Sequence, residues 1–372
     1  MVATIDDTIR RTPADPRPRG NTLAEKFDPK ANSLDNLRLI FATMVAVAHA
    51  SAIFLGVQPH VGETEVAGLA VDAFFVLSGF LVASSFDRLG SVARYAWHRF
   101  LRIMPLFWIV LVTTAFVVAP LIAVFEGRPA ASVFTGPDPA WRYAVENSLL
   151  FIAPDNFGVA GLPSGTAQPG VVNGALWTLF YEVVCYGLVV AVGLFGFLRR
   201  RRWVLLAAAA CFAVLAAVAE FGIAEPPGAL FTRFFLVFLL GVATYAYRAE
   251  LPITGRWALV SLIVLGVSLV LLTDYRVLGA PAFAYLCMWA TVSTPFLRAG
   301  LPWDLSYGMY VFHWPIETLL VVSGVAGVLG VVGYTITAVL VAALLACASW
   351  NLIEKPILSF KNAPLPFDRS RH

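Results

Sequence analysis

Arg38 and His49 lie in the first strongly apolar stretch of the chain, with only the ten apolar or small residues LIFATMVAVA between them. In a helix, eleven steps of about 100° return a side chain to within about 20° of its start, so both project from one face, about 16 Å apart along the axis. A cation and an imidazole on one stripe of a membrane helix are costly to leave in lipid. The pair is therefore expected to face a protein interior, with His49 near mid-bilayer and Arg38 at the edge. An imidazole so placed can act as a general base or as a nucleophile. The arginine can grip a phosphate or another polar group through charge-assisted hydrogen bonds.

The elements that position such a pair are membrane-spanning helices. The 372 residues are 59% hydrophobic and 13% charged, with a mean hydropathy of +0.78, whereas soluble domains carry about 25% charged residues. The composition excludes a soluble globular chain and indicates an all-α polytopic membrane protein. Apolar runs of about 20 residues predict about ten transmembrane helices, near 37–55, 66–86, 103–125, 174–198, 203–220, 230–247, 257–273, 277–294, 305–323 and 330–353. With the N-terminus inside, the inner loops and tail collect Arg88, Arg94, Arg99, Arg102, Arg199 to Arg202, Arg248, Arg256, Arg298, Lys355, Lys361, Arg369 and Arg371. Only Arg128, Arg142 and Arg276 remain in the outer loops, as the positive-inside rule requires. An even number of spans makes both termini cytoplasmic. The formal net charge of +3 then reports loop topology, and no nucleic-acid partner is expected.

Residues 1–36, polar, basic and proline-rich, are expected to form a disordered cytoplasmic arm. A transmembrane domain at 37–357 and a cytoplasmic tail at 358–372 follow. AHASA at 48–52 resembles a signal-peptide cleavage site, but the region before it is unusually long and cleavage would discard Arg38. Cys185, Cys211, Cys287 and Cys347 fall in apolar segments without ligand spacing, so they read as buried packing residues, with neither disulfides nor a metal site.

Counting about 1.5 Å per residue along each helix puts His49 and Glu182 at nearly one depth, with His313 and Glu317 of the ninth span beside them. Asp72 and Arg233 lie nearer the outer surface, where an ion pair is the favoured reading. His313, beside Trp314 and Pro315, reads equally as helix packing or as a functional group. The segment SVARYAWHRFLR at 91–102 aligns Arg94, His98 and Arg102 on one stripe with Arg99 beside it. This cationic face can clamp phosphates or simply fix topology at the headgroups. The longest outer loop, 126–172, lacks clear structure in the sequence and is the candidate entrance for an acceptor.

Taken together, these segments resemble the bacterial integral-membrane acyltransferase-3 family. LDNLR runs into Arg38 and leads to His49. VDAFFVLSGFL at 71–81 resembles the second-span signature and WHRFLRIMPLFW at 97–108 the arginine-rich run into a proline. ALWTLFYEVVCY at 175–186, SYGMYVFHWP at 306–315 and NLIEKPI at 351–357 resemble the remaining motifs, in the expected order. Asn36 stands where the family usually has Gly, and Phe180 and Tyr181 where it more often has small polar residues.

The resemblance implies a multi-pass O-acyltransferase of the bacterial inner (plasma) membrane that moves an acyl group, most simply acetyl from acetyl-CoA, to a hydroxyl of an exported or cell-surface glycan or glycolipid. Acyl-CoA is then a donor substrate, with no cofactor bound and no metal. The partners are that donor, the acceptor and the bilayer, and a homodimer is compatible with the sequence. A hydroxyl is too weakly acidic to attack a thioester at neutral pH unaided. His49 is therefore the expected base or acyl-carrying nucleophile, Glu182 orients an imidazole or holds the acceptor, and Arg38 holds the donor's phosphate. Arg94, Arg99, Arg102, Asp72, Ser78, His313, Trp177 and Tyr181 are the expected substrate- or donor-binding residues. The competing class is a secondary transporter of a small polar solute, in which buried charges and broken helices look much alike. The absence of a visible internal repeat and the cationic inner loop favour the enzyme.

Overall fold

Each apolar run predicted from the sequence lies on a helix. The computed structural model describes residues 20–29, 31–152, 156–224, 228–294, 297 and 303–364. In chain order come α1 (Leu23–Lys26), α2 (Leu34–Leu55), a short hairpin of β1 (His60–Val61) and β2 (Thr64–Glu65), α3 (Val66–Leu89) and α4 (Val92–Thr113). A π-helical turn, Thr114–Val118, joins α4 to α5 (Ala119–Phe125). A 3-10 turn and α6 (Ala140–Glu146) precede α7 (Thr178–Leu194), α8 (Trp203–Glu220) and α9 (Ala229–Ala246). Then follow α10 (Gly255–Leu271), α11 (Arg276–Ser293), α12 (Ser306–Val322), α13 (Val325–Ser349), a π-helical turn Trp350–Glu354 and α14 (Lys355–Leu358).

Six of these segments are long and apolar enough to cross a membrane: Leu34–Leu55, Val66–Leu89, Val92–Phe125, Trp203–Glu220, Ala229–Ala246 and Val325–Asn362. The sequence predicted ten. The difference lies partly in length, since α7, α10 and α12 have 17 residues each, at the short end of the roughly 17–25 that span a bilayer. The apolar outer faces fit lipid contact. Leu259, Leu262, Ile263 and Val270 on α10, and Val328, Val332, Leu340 and Leu344 on α13, are all exposed, far more apolar surface than a soluble monomer shows.

The centre of the bundle is α3 against α9, flanked by α2, which also packs on α12 and α13. Close approach of α3 and α9 depends on two glycines. A Cβ at Gly79 would lie 2.3 Å from the Phe238 carbonyl oxygen, and one at Gly241 2.1 Å from that of Val76, so any larger residue must separate the helices. Deep in this layer lies Asp72, fully buried, whose carboxylate accepts from Arg233 Nε at 3.0 Å, Arg276 Nε at 2.7 Å and the Tyr275 hydroxyl at 2.9 Å. Asp72 is therefore a tie between α3, α9 and α11. Asp72→Asn removes the charge shared by two arginines, and breaking a buried pair from one side costs about 3–5 kcal/mol. A clearly lowered thermal midpoint in detergent is expected, and a midpoint equal to that of the unsubstituted protein would contradict this role.

Several expectations need correction. Residues 20–29 and 31–36 are folded onto the body: Leu23 is fully buried, its amide donates to the Leu251 carbonyl at 2.9 Å, and Lys26 Nζ donates to that of Ile253 at 2.6 Å. Thr22 and Glu25 form a reciprocal cap on α1, a local signal hidden by the polar composition around it. The first 19 residues lie outside the described set, as do Arg298, Arg369 and Arg371. The loop at 126–172 carries structure of its own, including α6, and is pinned where Glu126 accepts from the backbone amides of Ser164 and Gly165 at 2.7 and 2.8 Å. Cys185 and Cys287 are buried, but Cys211 is exposed and Cys347 half-buried, because their helices turn an apolar face outward.

Candidate active site

A cavity of about 390 Å³ opens at the arginine-rich end of the bundle, within the roughly 300–1,000 Å³ typical of small-molecule sites. The cationic first half of α4 brings His98, Arg99 and Arg102 into the lining, with Arg88 from α3 and Lys361 from the C-terminal segment. Five basic residues, Arg38, Arg88, Arg99, Arg102 and Lys361, line the cavity against two acids, Glu182 and Asp304. The chain after α13 folds back over the mouth. Trp350 and Leu358 join the lining, and Trp97 Nε1 on α4 donates to the Phe360 carbonyl at 3.1 Å. Three buried side-chain nitrogens in this lining, His98 Nε2, Arg99 Nε and Trp350 Nε1, have no hydrogen-bond partner among the described residues. Arg99 Nε and Trp350 Nε1 are obligatory N–H donors, and buried donors left unpaired cost about 1–3 kcal/mol each, so the cavity favours a ligand rich in acceptors.

Arg38 and Arg102 converge on Asp304, at 3.5 and 2.6 Å, and Arg102 also meets Glu354 at 3.5 Å. Burial by itself would raise the Asp304 carboxyl, but Arg102, then Arg38, with the Ser306 hydroxyl, hold it well below the usual carboxylate range. It stays ionised at neutral pH. Arg38 is thus held by a carboxylate rather than standing free for a phosphate, while Arg99 lines the cavity with Ser85 Oγ at 3.5 Å and the Tyr186 ring centroid 5.6 Å away. Asn36, the departure beside Leu37, donates to the Leu297 carbonyl at 2.5 Å and anchors the start of α2.

Midway along the cavity, Glu182 on α7 accepts from the Tyr186 hydroxyl at 2.6 Å and the Ser78 hydroxyl at 3.5 Å. Its recorded partners are hydroxyls, so the expectation that it orients an imidazole is not met. At the inner end, the Tyr310 and Thr178 hydroxyls lie 2.6 Å apart. The Tyr310 ring in turn sits 6.0 Å from that of His313.

Behind Tyr310 the two predicted histidines meet. His49 Nδ1 lies 3.0 Å from His313 Nε2, and the edge of Trp314 packs on His49 with centroids 4.8 Å apart. α12 can present this face because Asn173 repairs it. Pro315 lacks the N–H that would bond the Val311 carbonyl, and Asn173 Nδ2 supplies it at 3.1 Å. His49 is half-buried and His313 fully buried. Glu317, one turn further on, is also fully buried.

The remaining expected residues are placed elsewhere. Asp72 serves the ion network, Arg94 is absent from the cavity lining, and Trp177 and Tyr181 pack with tilted rings against Phe234, centroids 5.8 and 5.0 Å away. That aromatic cluster explains why Phe180 and Tyr181 replace small residues. Asp304, Glu354 and Trp350 were not among the expected site residues: Asp304 and Trp350 carry no local signal beyond their position at the end of a predicted span, whereas Glu354 lies in the NLIEKPI segment.

A family model described as an acyltransferase domain matches residues 31–347. An O-acetyl transferase of Shigella phage Sf6 is 25% identical over 352 residues, covering 91% of this chain and 99% of the phage protein. No solved structure matches.

Proposed function

The chain belongs to the acyltransferase-3 family, and from that premise we propose that it moves an acetyl group from acetyl-CoA onto a hydroxyl of an exported or cell-surface glycan or glycolipid. The observation that carries the reading is the cationic cavity with its unpartnered nitrogens, which suits the phosphates and amides of coenzyme A. The phage relative, an O-acetyl transferase by name, supports acetyl as the group moved and a hydroxyl as its destination. The working topology is ten spans with both termini cytoplasmic, in the bacterial inner membrane. It places the arginine-rich mouth where acyl-CoA is found.

In this mechanism the donor's phosphates rest on Arg99, Arg88 and Lys361, and Arg102 and Arg38 are braced by Asp304. The pantetheine arm runs past Glu182 and Ser78 and brings the thioester toward the Tyr310 end. His49 takes the acceptor's hydroxyl proton, or accepts the acyl group itself before passing it on. The acceptor approaches from the opposite face, over the loop at 126–172.

Purified into nanodiscs, the protein should release free thiol from acetyl-CoA when given glycan from a strain deleted for the gene. Arg99→Gln should raise the KM for acetyl-CoA about tenfold or more, since hydrogen bonds to charged groups contribute about 1.5–3 kcal/mol. Arg102→Gln should also lower stability, because Asp304 and Glu354 lose their counter-charge. No thiol release would sink the proposal and leave a transporter, whose activity needs two compartments.

A further inference from the structure

The two histidines touch, and their hydrogen bonding decides which nitrogen of each carries a proton. His313 Nδ1 lies 3.3 Å from the Met309 carbonyl oxygen. A carbonyl only accepts, so His313 Nδ1 is the donor and bears hydrogen. An imidazolium at this fully buried position would be expensive in an apolar surrounding. Neutral His313 therefore has a bare lone pair on Nε2. That lone pair faces His49 Nδ1 at 3.0 Å, which must donate to it.

The ring geometry agrees. The two planes differ by 13° and the centroids are 5.3 Å apart, well beyond the 3.0 Å between the joined nitrogens. That combination requires the nitrogens to lie on the line between ring centres, so the rings meet edge to edge in nearly one plane, with N–H and lone pair aligned.

We propose that His313 is the positioning residue for His49: it accepts the Nδ1 proton, locks the Nδ1–H tautomer, and makes Nε2 of His49 the atom that reacts. The inference rests on the reading of His49 as base or nucleophile, and it holds for both. As a base, Nε2 takes the acceptor's hydroxyl proton while the new O–C bond forms at the thioester carbonyl. The C–S bond then breaks, and the proton passes from Nε2 to the departing thiolate. As a nucleophile, the same Nε2 lone pair forms the N–C bond as the C–S bond breaks and thiolate leaves; the acceptor's hydroxyl oxygen then forms the O–C bond, the N–C bond breaks, and the hydroxyl proton passes by way of the freed Nε2 to the thiolate. His313 never touches substrate in either course. Its buried position and the half-exposed position of His49 fit that division of labour.

The test uses the full-length protein in nanodiscs, with acetyl-CoA and glycan from a strain deleted for the gene. His313→Leu should lower kcat roughly ten- to hundredfold, the range seen when an orienting partner of a functional histidine is removed, with the KM for acetyl-CoA nearly unchanged. His313→Gln places an amide oxygen near the former Nε2 and can accept the same proton, so it should recover much of the lost kcat. A purely structural His313 would give no such rescue. Histidine 15N spectra of the unsubstituted protein supply a readout independent of turnover. There are five histidines to resolve, and the two single variants assign the pair. Both His49 and His313 should show protonated Nδ1 and bare Nε2.

Unchanged kcat in His313→Leu, equal losses in the Leu and Gln variants, or a protonated Nε2 on His313 would each overturn the proposal. Full activity in a parallel His49→Ala sample would instead overturn the reading beneath it.

Discussion

The His49→Ala protein is expected to accumulate in the membrane at normal levels and to transfer no measurable acyl group. Normal insertion is expected because an alanine at mid-helix is easier to place in a membrane than an imidazole. The surrounding layer is also held by contacts His49 does not make, such as α3 on α9 and the Asp72 network. Loss of activity follows from the chemistry. Removing a general base typically costs about 10²–10⁴-fold, and among the described residues the other imidazole beside Tyr310, that of His313, is fully buried. Glycan ester content in cells carrying only the substituted gene gives the readout. Substantial acylation by His49→Ala would remove His49 from the mechanism.

Much of this arrangement was visible in the sequence, and the parts that were not share a physical reason. Hydropathy located the helical segments because burial in lipid acts on every residue of a span. The spacing of Arg38 and His49 correctly placed both on α2, with Arg38 on the cavity and His49 against α12. What remained hidden was pairing between distant elements. His49 meets His313 across 264 positions, and Arg102 meets Asp304 across 202. No local periodicity records such partners. A depth argument could bring His49, Glu182, His313 and Glu317 to one level but could not say which of them touch. Glu182 turned to Tyr186 and Ser78, and the second histidine took the place assigned to it. Asp304 was overlooked because a lone acid beside a span looks like any loop residue until two arginines arrive. The folded segment at 20–29 was hidden for a different reason. Its composition is that of a disordered arm, and a single buried leucine with a two-residue cap is enough to dock it.

The proposed reaction is directional: an acyl group enters as a thioester at the arginine-rich mouth, reacts near His49, and leaves on an acceptor that approaches from the opposite side. Sealed, right-side-out membrane vesicles carrying the protein and an outward-facing glycan acceptor test it directly. Radiolabelled acetyl-CoA is supplied either inside or outside, and label on the glycan is counted. Coenzyme A esters do not cross a bilayer unaided, since their charged phosphates cannot be desolvated in the hydrocarbon core. Label should therefore appear when acetyl-CoA is sealed inside and stay at the His49→Ala background when it is supplied only outside. Equal labelling from either side would contradict the proposal, because a donor held by the basic residues of the cavity, in the orientation expected from the basic loops, has to enter from within.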